Sequence, residues 1–120
     1  MIYEDKAIQG WLHKQSKGYF SSWKRLYVVV DNKKLCYYQD CSQSSIKGLV
    51  DFSVIRAHLE VVNEKTFKLT VKVKDGEEKT FTFMTQSRAS LATWVTIINL
   101  QMNNAEIVPA SELQFAGPPI

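Results

Sequence analysis

Apolar and polar residues alternate with a period of two from residue 8 to residue 84, broken at intervals of roughly 8 to 12 residues by polar or glycine-containing turns. A period of two places successive side chains on opposite faces of an extended strand, so the pattern predicts an all-β sandwich or barrel. Seven strands are expected: Ile8 to Gln15, Trp23 to Val30, Leu35 to Gln39, Gly48 to Phe52, Leu59 to Asn63, Phe67 to Val73 and Thr80 to Met84. The Asp31-Asn32-Lys33-Lys34 run reads as the turn between the second and third strands, and Asp75-Gly76 as the hairpin before the seventh.

After Met84 the period changes to that of a helix. Ser87 is a suitable N-cap, and Leu91, Trp94, Val95, Ile98 and Met102 recur on one helical stripe, which predicts a single amphipathic helix from Arg88 to Met102. An open barrel leaves one mouth uncovered, and a helix with this stripe can plug it. Residues 1–103 are therefore expected to form one mainly β domain, a seven-stranded antiparallel open barrel capped by a C-terminal helix. The last segment, 104–120, holds all three prolines, has no sustained period, and reads as a tail or linker.

Composition changes this picture little. A chain of 120 residues that is 45% hydrophobic and 22% charged suits one ordinary core. No stretch reaches the ~18 to 20 consecutive apolar residues that span a bilayer, and the N-terminus lacks a signal-peptide pattern, so a cytoplasmic chain is expected. Cys36 and Cys41 are read as free thiols, Cys36 packed and Cys41 exposed.

The charge distribution says more than the net value of +3. Residues 1–47 carry eight Lys or Arg against four acids, and the remainder carries seven against eight. Positive charge gathers where the first strand ends and the second begins, at Lys14, Lys17, Lys24 and Arg25. Such polarity attracts a polyanion to one end of the molecule.

Several short runs together resemble the pleckstrin homology (PH) domain over about 95 residues, Gly10 to Met102. "GWLHK" is similar to its first-strand Gly-x-Leu-x-Lys, "SWKRLYVVV" to its second strand, "KLCYY" to its third, "KGLVDF" to the start of its fourth, and "SLATWVTII" to its helix with a central Trp. The resemblance implies a non-catalytic, membrane-targeting module without a cofactor, in which a cationic pocket beside the first loop takes phosphoinositide or other anionic phospholipid headgroups. Position by position it implies a headgroup site of Lys14, Arg25, Tyr37 and Lys47, with Lys17 above it. Lys14 and Arg25 are expected to converge on the phosphate, and Lys24, alternating with Arg25, to face away toward the membrane surface. Tyr19 and Phe20, two aromatics in a polar loop, are expected to touch the bilayer. Trp11, Trp23 and Trp94 are expected to pack.

One departure from the family pattern stands out. Its tightest headgroup binders have a basic residue two positions before the second-strand Trp, where this chain has Ser21, and they have one residue more between that Trp and the arginine. The alternative reading is a protein-interaction module of the same superfold that binds a peptide or small GTPase with little lipid specificity, along a strand edge and the helix. Catalysis is not expected, because His13 and His58 have no recognisable partner motif and no paired carboxylates stand out. Neither nucleic-acid binding nor oligomerisation is expected: no aromatic pair or basic stripe suits a single strand, and the chain reads as a monomer recruited peripherally to membranes.

Overall fold

The structure is a computed structural model, and it describes residues 7–16, 22–72 and 76–103. Lys17, Tyr19, Phe20, Ser21, Val73, Asp75 and the 104–120 segment lie outside the described residues.

Seven strands and one helix follow in the expected order: β1 (Ile8–Gln15), β2 (Trp23–Asp31), β3 (Lys34–Tyr38), β4 (Ile46–Asp51), β5 (Arg56–Val61), β6 (Thr66–Lys72), β7 (Glu78–Met84) and α1 (Arg88–Asn103). They form one antiparallel sheet in the order β4-β3-β2-β1-β7-β6-β5, with β4 and β5 as its unpaired ends among the described residues, so the barrel is open. The fifth strand begins and ends earlier than its apolar pattern suggested. Val62 N–H donates to Thr66 C=O (2.8 Å) and Lys65 N–H to Asn63 Oδ1 (3.0 Å), so 62–65 is a turn rather than strand. The strand instead takes in Arg56, Ala57 and His58, whose small apolar member gave too weak an alternation to be seen.

The inner faces supply the core. Leu12, Val28, Val30, Leu35, Val50, Phe52, Phe67, Leu69, Val71 and Phe83 form one buried cluster with Leu91, Trp94 and Ile98 of the helix. Period-two alternation in β2 and β6 meets the 3.6-residue stripe of α1 there, and burying both faces is the main source of stability. Ser87 caps α1, its Oγ accepting from Ser90 N–H at 3.1 Å. Trp94 lies over the start of β1, where a Cβ built on Gly10 would stand 3.6 Å from Trp94 Cζ2.

The far end of α1 is tied to the β2–β3 turn. Asn32 (φ 56°) and Lys33 (φ 61°) both adopt the left-handed region, which a two-residue turn between right-twisted strands requires. Lys33 N–H donates to Oε1 of the buried Gln101, and Lys33 C=O accepts from Phe52 N–H at 2.8 Å. Both backbone groups of a strained residue are thereby satisfied, one by the helix and one by the chain leaving β4. The sequence pattern of α1 missed Gln101, because a polar residue at a buried helical position has no periodic signature.

Two outcomes follow from this packing. Trp94→Ala should lower the unfolding free energy by about 3–5 kcal/mol, the usual cost of deleting a buried aromatic, as measured by urea denaturation. Lys33→Gly should raise it by about 1 kcal/mol, since glycine adopts a positive φ without the side-chain clash; a lower denaturation midpoint would contradict the turn geometry.

Candidate functional site

The end of the barrel remote from Trp94 is where β1 and β3 finish and β2 and β4 begin. The β1–β2 register decides what that mouth contains. Leu12 pairs with Leu26, His13 with Arg25, Lys14 with Lys24 and Gln15 with Trp23. Directly opposed residues of an antiparallel pair share a face, so Lys14 and Lys24 stand on the inner side, on the same face as Leu12 and Leu26, with Cβ atoms roughly 5 Å apart. His13 and Arg25 stand on the outer side.

The expected convergence of Lys14 and Arg25 is thus corrected by one residue. Arg25 turns outward and lays its guanidinium over the Trp11 ring, Cζ 4.1 Å from the centroid, while Trp11 meets Tyr27 edge-on at 5.3 Å. Leu26 takes the next inward position and is buried. The single missing residue between Trp23 and the arginine has a physical effect, because a shift of one position moves a strand side chain to the other face. Lys24, expected to point away, is the residue that faces Lys14. Trp23 is 39% exposed at the start of β2, and so does not pack as expected.

Lys14 Nζ lies over two aromatic rings, 5.4 Å from the centroid of Tyr37 and 5.6 Å from that of Phe81. The two rings meet edge-on at 6.2 Å. Aromatic faces attract the ammonium and hold its flexible stem in one region. Tyr37 is half-buried, and the loss of solvent raises its hydroxyl pKa above 10.0. The hydroxyl therefore stays protonated at neutral pH and is available as a hydrogen-bond donor.

Tyr37 owes its position to Gly48. The two are register partners in the β3–β4 ladder, and a Cβ on Gly48 would fall inside the space of the Tyr37 ring. The register then shifts between Tyr37 and Tyr38, which pairs with Ile46, leaving Lys47 as the extra residue of a bulge. Lys47 is exposed there, beside the glycine under the tyrosine. In the neighbouring 39–45 loop, Asp40 Oδ1 accepts from Ser42 Oγ–H at 2.5 Å and from Ser42 N–H at 3.0 Å, and these two bonds, the hydroxyl's first, lower its carboxyl pKa. That carboxylate is occupied within its own turn. Of the expected site residues, then, Lys14 and Tyr37 are brought together, Lys24 joins them, Lys47 stands at the rim, and Arg25 belongs to the opposite face.

Cys36 lies on the outer face and is half-buried, less packed than expected, and Cys41 is exposed. Cys36 neighbours Tyr38, whose pKa is raised by desolvation first and then by the thiol. Among the described residues no cluster of His, Cys, Asp and Glu could hold a metal ion, and no helix is long and apolar enough to cross a membrane.

Gly48→Ala should displace the Tyr37 ring at a cost of about 1–3 kcal/mol, the range for overpacking. The near-ultraviolet circular dichroism should change while the far-ultraviolet spectrum is kept; an unaltered near-ultraviolet spectrum would show that the ring does not rest on residue 48.

Comparisons with known proteins agree with this architecture. The chain is 26% identical over 104 residues to mouse pleckstrin homology domain-containing family A member 6, covering 86% of this chain and 9% of that protein. It is 28% identical over 110 residues to the mouse interactor protein for cytohesin exchange factors 1, covering 87% of this chain and 26% of that protein. The chain thus spans only a minor part of these relatives. Among solved structures, the PH domain of human TBC1 domain family member 2 superposes with a TM-score of 0.68 at 18% identity, covering 89% of each chain. The DH/PH domains of PDZ-RhoGEF, in complex with activated RhoA, superpose with a TM-score of 0.66 at 15% identity, covering 82% of this chain and 29% of that one. The PH family pattern itself matches residues 6–103, and the chain belongs to the PH domain family.

Proposed function

We propose that this PH domain, a member of a family of lipid- and protein-binding modules, binds anionic phospholipid headgroups, phosphoinositides among them, at the mouth formed by Lys14, Lys24 and Tyr37. The observation that carries the reading is the register pairing of Lys14 with Lys24. Like charges directly opposite each other destabilise a strand pair, and an anion between them turns that repulsion into attraction. Tyr37 supplies a neutral donor beside them, and Lys47 adds charge at the rim. Lys17, which follows Lys14 in the chain, adds a further cation to the β1–β2 segment, and Tyr19 and Phe20 are its bilayer contacts. Arg25 acts at a distance as part of the positive field, and the module recruits its parent protein peripherally to membranes.

The protein-interaction reading has one structural observation in its favour. Leu26, not a basic residue, occupies the inward position after Lys24, which removes a bidentate donor from the mouth and favours modest over tight headgroup affinity. One relative is named as an interactor protein, and one structural neighbour was solved with a small GTPase.

Calorimetry with a soluble inositol phosphate distinguishes these readings without the nonspecific attraction of a membrane. Lys14→Ala and Lys24→Ala should each weaken binding about tenfold or more, the effect of losing one charge-assisted hydrogen bond of roughly 1.5–3 kcal/mol. Arg25→Ala removes an equal charge from the opposite face and should cost less. Equal losses for all three variants would reduce the site to charge counting, and no binding by the unmodified domain would favour the protein partner.

A further inference from the structure

Among the described residues the open sheet ends in two unpaired edges, β4 and β5, and they are protected differently. Along β5 the exposed side chains Arg56, His58 and Glu60 alternate with half-buried Ala57 and Leu59, so charge covers the outer side of that edge, and the exposed Val61 comes only at its last residue. Along β4 the outer side carries Ile46, 54% exposed, and Leu49, 51% exposed. Leu49 continues an apolar row through its register partners Cys36 and Val29. Large exposed apolar residues on a free edge invite another strand.

The backbone shows which residues can receive it. Phe52 N–H donates to Lys33 C=O, so the alternation of an antiparallel ladder turns the backbone groups of Val50 and Gly48 toward β3 as well. Leu49 and Asp51 turn theirs to the free edge. Asp51 C=O is already used by Val54 and Ile55 N–H (3.1 and 3.0 Å), which leaves Leu49 with both a donor and an acceptor and Asp51 with a donor.

The sequence of the edge, Lys47-Gly48-Leu49-Val50-Asp51, is complementary to itself when reversed. Antiparallel pairing about a twofold axis through Leu49 sets Leu49 against the partner's Leu49, with two reciprocal backbone hydrogen bonds. It also sets Lys47 against Asp51 of the partner subunit and Asp51 against the partner's Lys47; Asp51 Oδ1 accepts from Ser53 Oγ–H at 2.6 Å and Ser53 N–H at 3.0 Å within its own turn, so the lysine adds to a carboxylate already held in place. Charge, hydrogen-bond parity and the apolar row agree on this one register, and the outer faces of both copies then form a continuous apolar band. We propose that the β4 edge is a self-association surface whose occupant is β4 of a second copy of this chain, paired antiparallel and centred on Leu49.

Sedimentation equilibrium on the chain from about 1 μM to 1 mM, the range suited to a small edge interface, tests this. A concentration-dependent dimer is expected, weakened at least tenfold by Leu49→Lys, which sets two ammonium groups at the axis. Leu49→Pro should have the same effect, because it deletes the outward N–H while sparing the β3–β4 ladder, a substitution tolerated on edge strands. Glu60→Lys, on the other edge, should leave association unchanged. Hydrogen exchange should show the Leu49 amide protected as concentration rises. If Leu49→Pro unfolds the domain, Leu49→Lys carries the test. A monomer across the whole range, or a dimer that Leu49→Lys leaves intact, would overturn the proposal and leave the edge to a different chain.

Discussion

The pairing register of β1 with β2 governs most of what this domain can do. Leu12 opposite Leu26 anchors it, since both are buried and a slip of one residue would carry the whole apolar set of β2 to the solvent side. Once that apolar pair is fixed, the polar residues beyond it have no freedom. Lys24 must share a face with Lys14, and Arg25 must share one with Trp11. The chemistry of the mouth is therefore a by-product of core packing two residues away.

The two ends of the barrel divide the work. At one, α1 and the β2–β3 turn hold each other through Gln101 and Lys33, and Trp94 fills the space over Gly10. At the other, half-buried aromatics, Tyr37 and Phe81, take the place of a plug. Rings there close the core without neutral aliphatic bulk, so a lysine can lie across them and keep its charge near water. Buried apolar side chains of the helix fill one end, and half-buried rings under a lysine line the other.

Much of this was legible in the sequence. Alternation located six of the seven strands closely, because Val28, Val30, Leu69 and Val71 are separated by residues that face solvent or the outer side. The helix was legible because Leu91, Trp94 and Ile98 recur at its own period. The fifth strand was less so, since Ala57 is too small to mark a buried face beside Arg56 and His58. The cationic end was visible as a cluster, but clustering carries no direction. Lys24 and Arg25 are adjacent in sequence, and only pairing with β1 tells which enters the mouth. Gln101 was invisible for a different reason: its role depends on a backbone amide far away in sequence, which no local pattern records.

The glycine beneath Tyr37 has a consequence for how such a domain can diverge. A side chain at position 48 and an aromatic ring at position 37 claim the same volume, so neither site can be changed independently of the other. A lineage that enlarges residue 48 must first shrink residue 37, and in doing so gives up both the hydroxyl donor and one of the rings that positions Lys14. The charge of the mouth can thus drift gradually through its lysines. Loss of the tyrosine, by contrast, is a single coupled step that is hard to reverse, because the larger residue at 48 would bar the ring from returning.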